Sequence, residues 1–404
     1  MKPLRTFLFW IHLASGVTAG LVILVMSATG AVLAFKPQIS RVIDHDVRVV
    51  QPPPGQSRAR MHDLLTGVVE ASPGARPMSV TMEADPAASV AVALDQGGGT
   101  VYVDPYSARV LGSGSARTQA FFRTVENWHR WLAVNGDGRT TARAIADASN
   151  FAFLALAITG LFLWWPRKWL PQHLKAILWF KRTSTGRARD FNWHNVIGFW
   201  CAPILIVLTA TGVIMSYTWA NNLLYRVTGS PVPAARGRDA GPAGSPAGAR
   251  GDRSGNEQQI LDRIDALWMR AEQQVPEWRT ITMRWPARGN APVAFTITEQ
   301  SWNAFARSQL SLNAVTGDIV SWEPYANNSL GQKMRQWARF SHTGELGGWP
   351  GQTLAAIACT GGVFLVVTGL ALASRRLLGW SVWTRVRRRA SQSIDAPGVP
   401  TLSD

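Results

Sequence analysis

Apolar residues of this chain gather into four blocks, over 7–35, 144–165, 194–217 and 351–374. Each is about the 20 residues that a helix needs to cross a hydrocarbon core. The first block is too long for the core of a signal peptide and lacks a cleavage site at its end, so it reads as a retained span. Polar sequence between the blocks is unequal, with one short loop after the second block and a long segment after the first and the third.

Within the long segments the hydrophobic period changes. In the first, an amphipathic stretch over 61–71 precedes strand-like runs at 78–82 and 89–94, then T-V-Y-V-D-P-Y-S-A-R-V-L-G over 100–112. The second repeats this order, with a helix pattern at 257–274, strands at 279–284 and 292–298, and Q-L-S-L-N-A-V-T-G-D-I-V-S-W over 309–322. Alternation on either side of Asp-Pro or Asn-Ala-Val-Thr-Gly is a hairpin signal, so each segment predicts a small α+β module. The stretch 229–255, rich in Gly, Pro, Ala and Arg, has no apolar period and predicts a disordered insertion.

The spans themselves repeat. W-I-H-L-A-S-G opens the first and S-A-T-G-A-V closes it; N-W-H-N-V-I-G opens the third and T-A-T-G-V-I closes it. His12 thus aligns with His194, Gly16 with Gly198, and Thr29-Gly30 with Thr211-Gly212. His129 precedes Thr159-Gly160-Leu161 as His342 precedes Thr368-Gly369-Leu370. The expected fold is therefore a membrane α-helical protein with four transmembrane helices in two pseudo-symmetric halves and two periplasmic α+β modules. Its divisions are span one at 1–36, module one with a juxtamembrane helix at 37–142, span two at 143–166 and a cytoplasmic loop at 167–193. Span three at 194–218, module two at 219–349, span four at 350–374 and a cytoplasmic tail at 375–404 complete it.

Charge orients the chain. Its net charge of +16 comes from 41 basic and 25 acidic residues. Fifteen of the basic ones, from Lys2 and Arg5 through Arg187 and Arg189 to Arg389, lie before the first span, in the short loop or after the fourth, with only Asp190, Asp395 and Asp404 beside them. This is the positive-inside pattern. Both termini and the short loop are expected in the cytoplasm and both long segments outside, in the inner membrane of a bacterium. Anionic lipid accounts for the basic clusters, and no nucleic acid is expected as a partner. Cys201 and Cys359 read as small buried residues at different depths, with no metal-ligand spacing between them.

A single histidine near a span end is at ease as an interfacial imidazole. Four at matched depths in two repeats are another matter. A parallel repeat is related by an axis along the membrane normal, so His12 and His194 are expected to face one another as an inner pair, and His129 and His342 as an outer pair. Facing imidazoles in a helical bundle predict iron ligation, with two haem b as the cofactors and the four histidines as axial ligands. Gly16 and Gly198 sit one turn beyond their histidines, where they either admit a flat porphyrin or let helices pack closely. His45, His62 and His173 have no counterpart in the other half and read as solvated. Trp128, Trp131 and Trp337, with Arg130, Arg335, Arg339 and Glu345, surround the outer histidines in sequence. Aromatic-belt and solvated-charge roles compete there with contacts to a cofactor or an anionic substrate.

The closing V-D-P-x-[ST]-x-x-V of the first outer segment resembles the PepSY module. The whole arrangement, with W-I-H-L-A-S-G, N-W-H-R-W-L, W-H-N-V-I-G, L-N-A-V-T-G-D and F-S-H-T-G-E-L-G-G-W-P-G-Q, resembles the PepSY-associated transmembrane family of iron-regulated inner-membrane proteins. That resemblance implies a haem-dependent ferric-siderophore reductase facing the periplasm. Its partners would be a ferric siderophore, a cytosolic or quinol electron donor and a periplasmic iron-binding protein. The donor has to be external, since no Walker motif occurs and the cytoplasmic parts are too short for a flavin or nicotinamide domain. Two other readings are a non-enzymatic PepSY membrane protein that binds a peptide or periplasmic partner, which leaves the histidine repeat without a use, and a metal or siderophore permease, for which the spans lack a central acidic or broken-helix site.

Overall fold

The computed structural model describes residues 2–95, 99–165, 175, 178–181, 185–233, 254–286, 291–300, 303 and 305–394. His173 and most of the expected insertion lie outside the described residues. The chain forms two compact units: one holds 1–34, 125–217 and 341–404, and the other holds 35–124 and 218–340.

The first unit is helical. Four helices are long and apolar enough to cross a membrane: Pro3–Leu33, Gly136–Trp164, Gly186–Ser216 and Glu345–Leu377. The first packs against the second and fourth, and the third packs against the same two, so the four close a ring. The helices overrun the apolar blocks, because polar residues at a span end extend a helix without leaving water. The third starts at Gly186 rather than near His194, and the helix carrying the fourth span continues to Ile394, with no proline before Pro397 to stop it. Cys201 and Cys359 lie in one apolar cluster with Leu205 and Ala358, both as free thiols.

The second unit is built on one sheet. The first outer segment gives β1 (Pro77–Glu83), β2 (Val90–Leu94), β3 (Thr100–Val103) and β4 (Val110–Ser113). From the second come β5 (Trp278–Arg284), β6 (Val293–Glu299), β7 (Arg307–Leu312) and β8 (Ile319–Glu323). The two strand sets do not form separate modules as the sequence suggests. They join in one eight-stranded sheet of order β4-β3-β2-β1-β5-β6-β7-β8, antiparallel at every ladder. The seam pairs Ser79–Glu83 residue for residue with Arg284–Thr280. Each set alone would leave a long bare edge of backbone donors and acceptors, and pairing β1 with β5 removes both edges.

One face of this sheet presents Val80, Val92, Ile281, Met283, Phe295 and Leu310. These are fully buried with Leu64 and Leu65 of the helix Met61–Ala71 and with Ile260, Ile264 and Leu267 of the helix Ser254–Gln274. Residues of alternate parity point the other way, as strand geometry requires. The hydroxyls of Thr81 and Thr282 meet there across the seam at 3.0 Å.

Candidate functional site

All four histidines predicted as ligands belong to the helical unit, and they meet in the expected pairs. The rings of His12 and His194 are 6.4 Å apart between centroids and almost perpendicular, at 86°. Those of His129 and His342 are also 6.4 Å apart, at 58°. Two metal–imidazole bonds of about 2 Å on opposite sides of one ion, plus roughly 1 Å from each nitrogen to its ring centre, give a separation of about 6 Å. Both pairs therefore fit a single ion held between two imidazoles. Among the described residues, no group of three or more His, Cys, Asp and Glu gathers as a metal site.

Neighbouring helices orient each ring. His12 Nδ1 lies 3.0 Å from the Thr159 hydroxyl, His194 Nδ1 lies 3.0 Å from that of Thr368, and His129 Nδ1 lies 2.9 Å from that of Thr29. His342 differs in detail: its Nδ1 donates to the Leu208 carbonyl at 2.8 Å and is 3.4 Å from the Thr211 hydroxyl. Every one of these hydroxyls has a carbonyl of its own helix at 2.6–2.7 Å, four residues back, at Ala155, Phe364, Val25 and Val207. A threonine has one proton to give. With that proton committed to the helix, the hydroxyl oxygen can only accept, so the imidazole carries its proton on Nδ1. The lone pair is then on Nε2, the arrangement found in metal-ligating histidines whose other nitrogen is hydrogen-bonded. Outside the spans, burial and the facing imidazole of His342 push His129 down to about 4, and burial lowers His342 too, so both rings are neutral near pH 7.

The glycine after each threonine makes room for the ring. A Cβ at Gly160 would stand 3.3 Å from Cε1 of His12, one at Gly369 3.3 Å from Cε1 of His194, one at Gly30 3.4 Å from Cε1 of His129, and one at Gly212 3.2 Å from Cε1 of His342. Thr-Gly is thus one receptor for an imidazole, used four times. The exchange is reciprocal within each half: His12 of the first spanning helix docks on the second, while His129, from the helix Ala116–Trp131 that precedes the second, docks on the first. His194 of the third docks on the fourth in the same way, and His342, from the helix Leu330–His342 that precedes the fourth, docks on the third. In sequence, Thr-Gly stands out only as a repeat marker. Its partner is on another helix, which a linear reading does not show.

Around the inner pair lies a cavity of about 780 Å³, within the roughly 300–1,000 Å³ of small-molecule sites. Gly16 and Gly198 line it with the two histidines. A Cβ at either would meet only a leucine methyl, at 3.8 and 3.5 Å, so open space for a ligand describes these glycines better than close helix packing. Trp164, stacked on Phe199 at 4.3 Å, lines the cavity as well, and its buried indole nitrogen has no hydrogen-bond partner. Paired imidazoles with free Nε2 atoms, a roomy apolar cavity and an orphaned donor fit a haem at this position.

The other residues that neighbour the outer histidines in sequence have varied surroundings. Arg130 lies 3.6 Å from Glu126 and over the ring of Trp131, which Arg139 covers as well. Trp128 and Trp337 are exposed. In the second unit, burial and the neighbouring Arg339 lower Arg335, and the Tyr225 ring hydroxyl partly offsets this. Glu345 opens a short turn after Gly344. His45 and His62 stand beside Asp46 and Asp63 on the surface of that same unit.

The chain belongs to the PepSY-associated TM region family, which it matches over residues 9–376. The matched stretch includes the four histidines and the four Thr-Gly pairs. No curated protein matches the chain.

Proposed function

We propose that this protein carries electrons across a bacterial inner membrane through two haem b groups and delivers them to Fe(III) in a siderophore on the periplasmic side. The observation that supports the reading is the geometry of the two histidine pairs, both 6.4 Å between ring centres, with every Nδ1 within hydrogen-bond distance of a neighbouring helix. His12 and His194 would hold the inner haem, and His129 and His342 the outer one. The cytoplasmic placement of the termini and the short loop follows from their basic residues, and the two halves act as pseudo-symmetric copies, each supplying one ligand to each centre.

A haem with two imidazoles has no open position, so when bound it supplies one-electron transfer rather than oxygen activation. The residues do the rest. The threonines hold the ligating rings in one tautomer, the glycines keep them close to the neighbouring helix, and the apolar wall of the inner cavity excludes water. Electrons come from a quinol or a cytosolic reductase. Hard oxygen donors hold Fe(III) better than Fe(II), so one electron per iron loosens the chelate and releases Fe(II). The sheet-bearing unit, made of paired PepSY-like elements, would lie in the periplasm, where a ferric siderophore or an iron-binding partner arrives.

The test is reoxidation of the dithionite-reduced protein by a panel of ferric chelates in stopped flow, with a ferrous chelator present. Reoxidation faster than in buffer, with stoichiometric Fe(II) trapped, is expected. Haems that are reducible but blind to every ferric chelate would remove the siderophore assignment and leave a transmembrane electron carrier.

A further inference from the structure

The inner cavity has a charged rim, and its register is the same on two helices. Arg5 is seven residues before His12 and Arg187 is seven residues before His194, two turns and about 10 Å along each helix on the histidine's own face. Both arginines line the cavity, as does Trp164 with its orphaned indole nitrogen. Arg5 is held there by donating to the carbonyls of Leu163 and, at 3.3 Å, Trp165 at the end of the second spanning helix, which leaves further donors of its five unused.

We propose that Arg5, Arg187 and Trp164 bind the two propionate carboxylates of the inner haem and fix its acidic edge toward the end of the bundle that carries the N-terminus. This rests on the two-haem reading. His12 and His194 would hold the porphyrin between the first and third helices, which also carry Arg5 and Arg187, within reach of its propionates. At the N-terminal end they meet one arginine from each side. Arg376 of the fourth helix also lines the cavity, stacked over Phe9 and Trp10, and charge-assisted hydrogen bonds from guanidinium groups are the strong ones available to a carboxylate. At the opposite end of the cavity, Gly20, Ile23 and Leu205 offer no such donors. Orientation follows from that asymmetry, and it turns the propionate edge toward the side from which electrons are supplied.

The discriminating probe is haem dimethyl ester, which keeps the iron and the ring but has no carboxylates. The full chain carrying His129→Ala, with one histidine pair left, is stripped and titrated with each porphyrin. Arg187→Gln and Arg5→Gln are expected to weaken haem binding about tenfold each and Trp164→Phe less, while none changes binding of the dimethyl ester. The midpoint potential of the inner haem should also fall in Arg187→Gln, because a cation near the iron is lost. Equal losses for both porphyrins, or no loss for haem, would overturn the inference, and an anionic lipid as the true occupant of the arginines would give that second result. Among the described residues Arg187 makes no helix-capping bond like that of Arg5, so Arg187→Gln decides the matter should Arg5→Gln fail to fold. If the parent protein takes up neither porphyrin, the two-haem reading itself falls, a result distinct from either of the others.

Discussion

The Nδ1 proton of His12 is accepted by the hydroxyl of Thr159 on the neighbouring helix at 3.0 Å. That hydroxyl has already given its own proton to Ala155 at 2.7 Å. A side chain usually read as a helix-packing residue thereby fixes which imidazole nitrogen is free. The same device at Thr29 and Thr368 makes ligand orientation a property of the bundle rather than of the histidines alone.

Replacing Thr159 or Thr368 with valine keeps the shape and removes the acceptor. Such outer-shell partners contribute roughly 10–100-fold in metal affinity. Haem should be retained more weakly at the inner pair, and its midpoint potential should rise as the ligand becomes less basic. A redox titration of each variant checks both. Thr211→Val should do much less than Thr29→Val, because His342 has the Leu208 carbonyl at 2.8 Å as its nearer partner.

Alanine in place of glycine ordinarily strengthens a helix by about 1 kcal/mol. At the four Thr-Gly positions the opposite is expected. Gly212→Ala should be the most damaging, since its Cβ would meet the Asn150 amide at 2.8 Å and His342 Cε1 at 3.2 Å. At Gly160→Ala only the ring of His12 must yield, from 3.3 Å. Haem per chain, measured in the two variants side by side, should be lower for Gly212→Ala.

The spans are plain in the sequence because twenty apolar residues in a row have few other uses, and the histidine pairs are plain because the repeat aligns them. Hairpins are local and could be read, as at β3 and β4 around Asp104-Pro105. The seam of β1 with β5 was not legible: its partners Thr81 and Thr282 lie far apart in sequence, and no periodicity in one strand names the other. The shared apolar cluster of Cys201 and Cys359 is hidden for the same reason, since the two lie on different helices. Polar residues at the head of the third helix conceal that it begins at Gly186.

Truncating the core of the sheet tests whether the units are separable. Phe295 is fully buried against Trp268, 6.1 Å between ring centres, and Phe295→Ala should cost about 3–5 kcal/mol. Limited proteolysis should show the sheet-bearing unit opening. The histidine pairs belong to the other unit, so haem content is expected to persist.

Sidedness is tested with reporter fusions after Lys181 and after Pro231. Opposite locations are expected, cytoplasmic for the first and periplasmic for the second, from the distribution of basic residues. Matching locations would overturn the topology and with it the direction assigned to the electrons.

Whether the two histidine pairs are two haem sites is read from the haem content and absorption spectrum of the purified full chain and of His12→Ala, His194→Ala, His129→Ala and His342→Ala. Two haem b per chain are expected, with spectra of six-coordinate, doubly imidazole-ligated iron. Either inner substitution should remove or alter one haem, and either outer substitution the other. A protein that binds no haem when haem is supplied, or whose spectrum ignores all four substitutions, would contradict it.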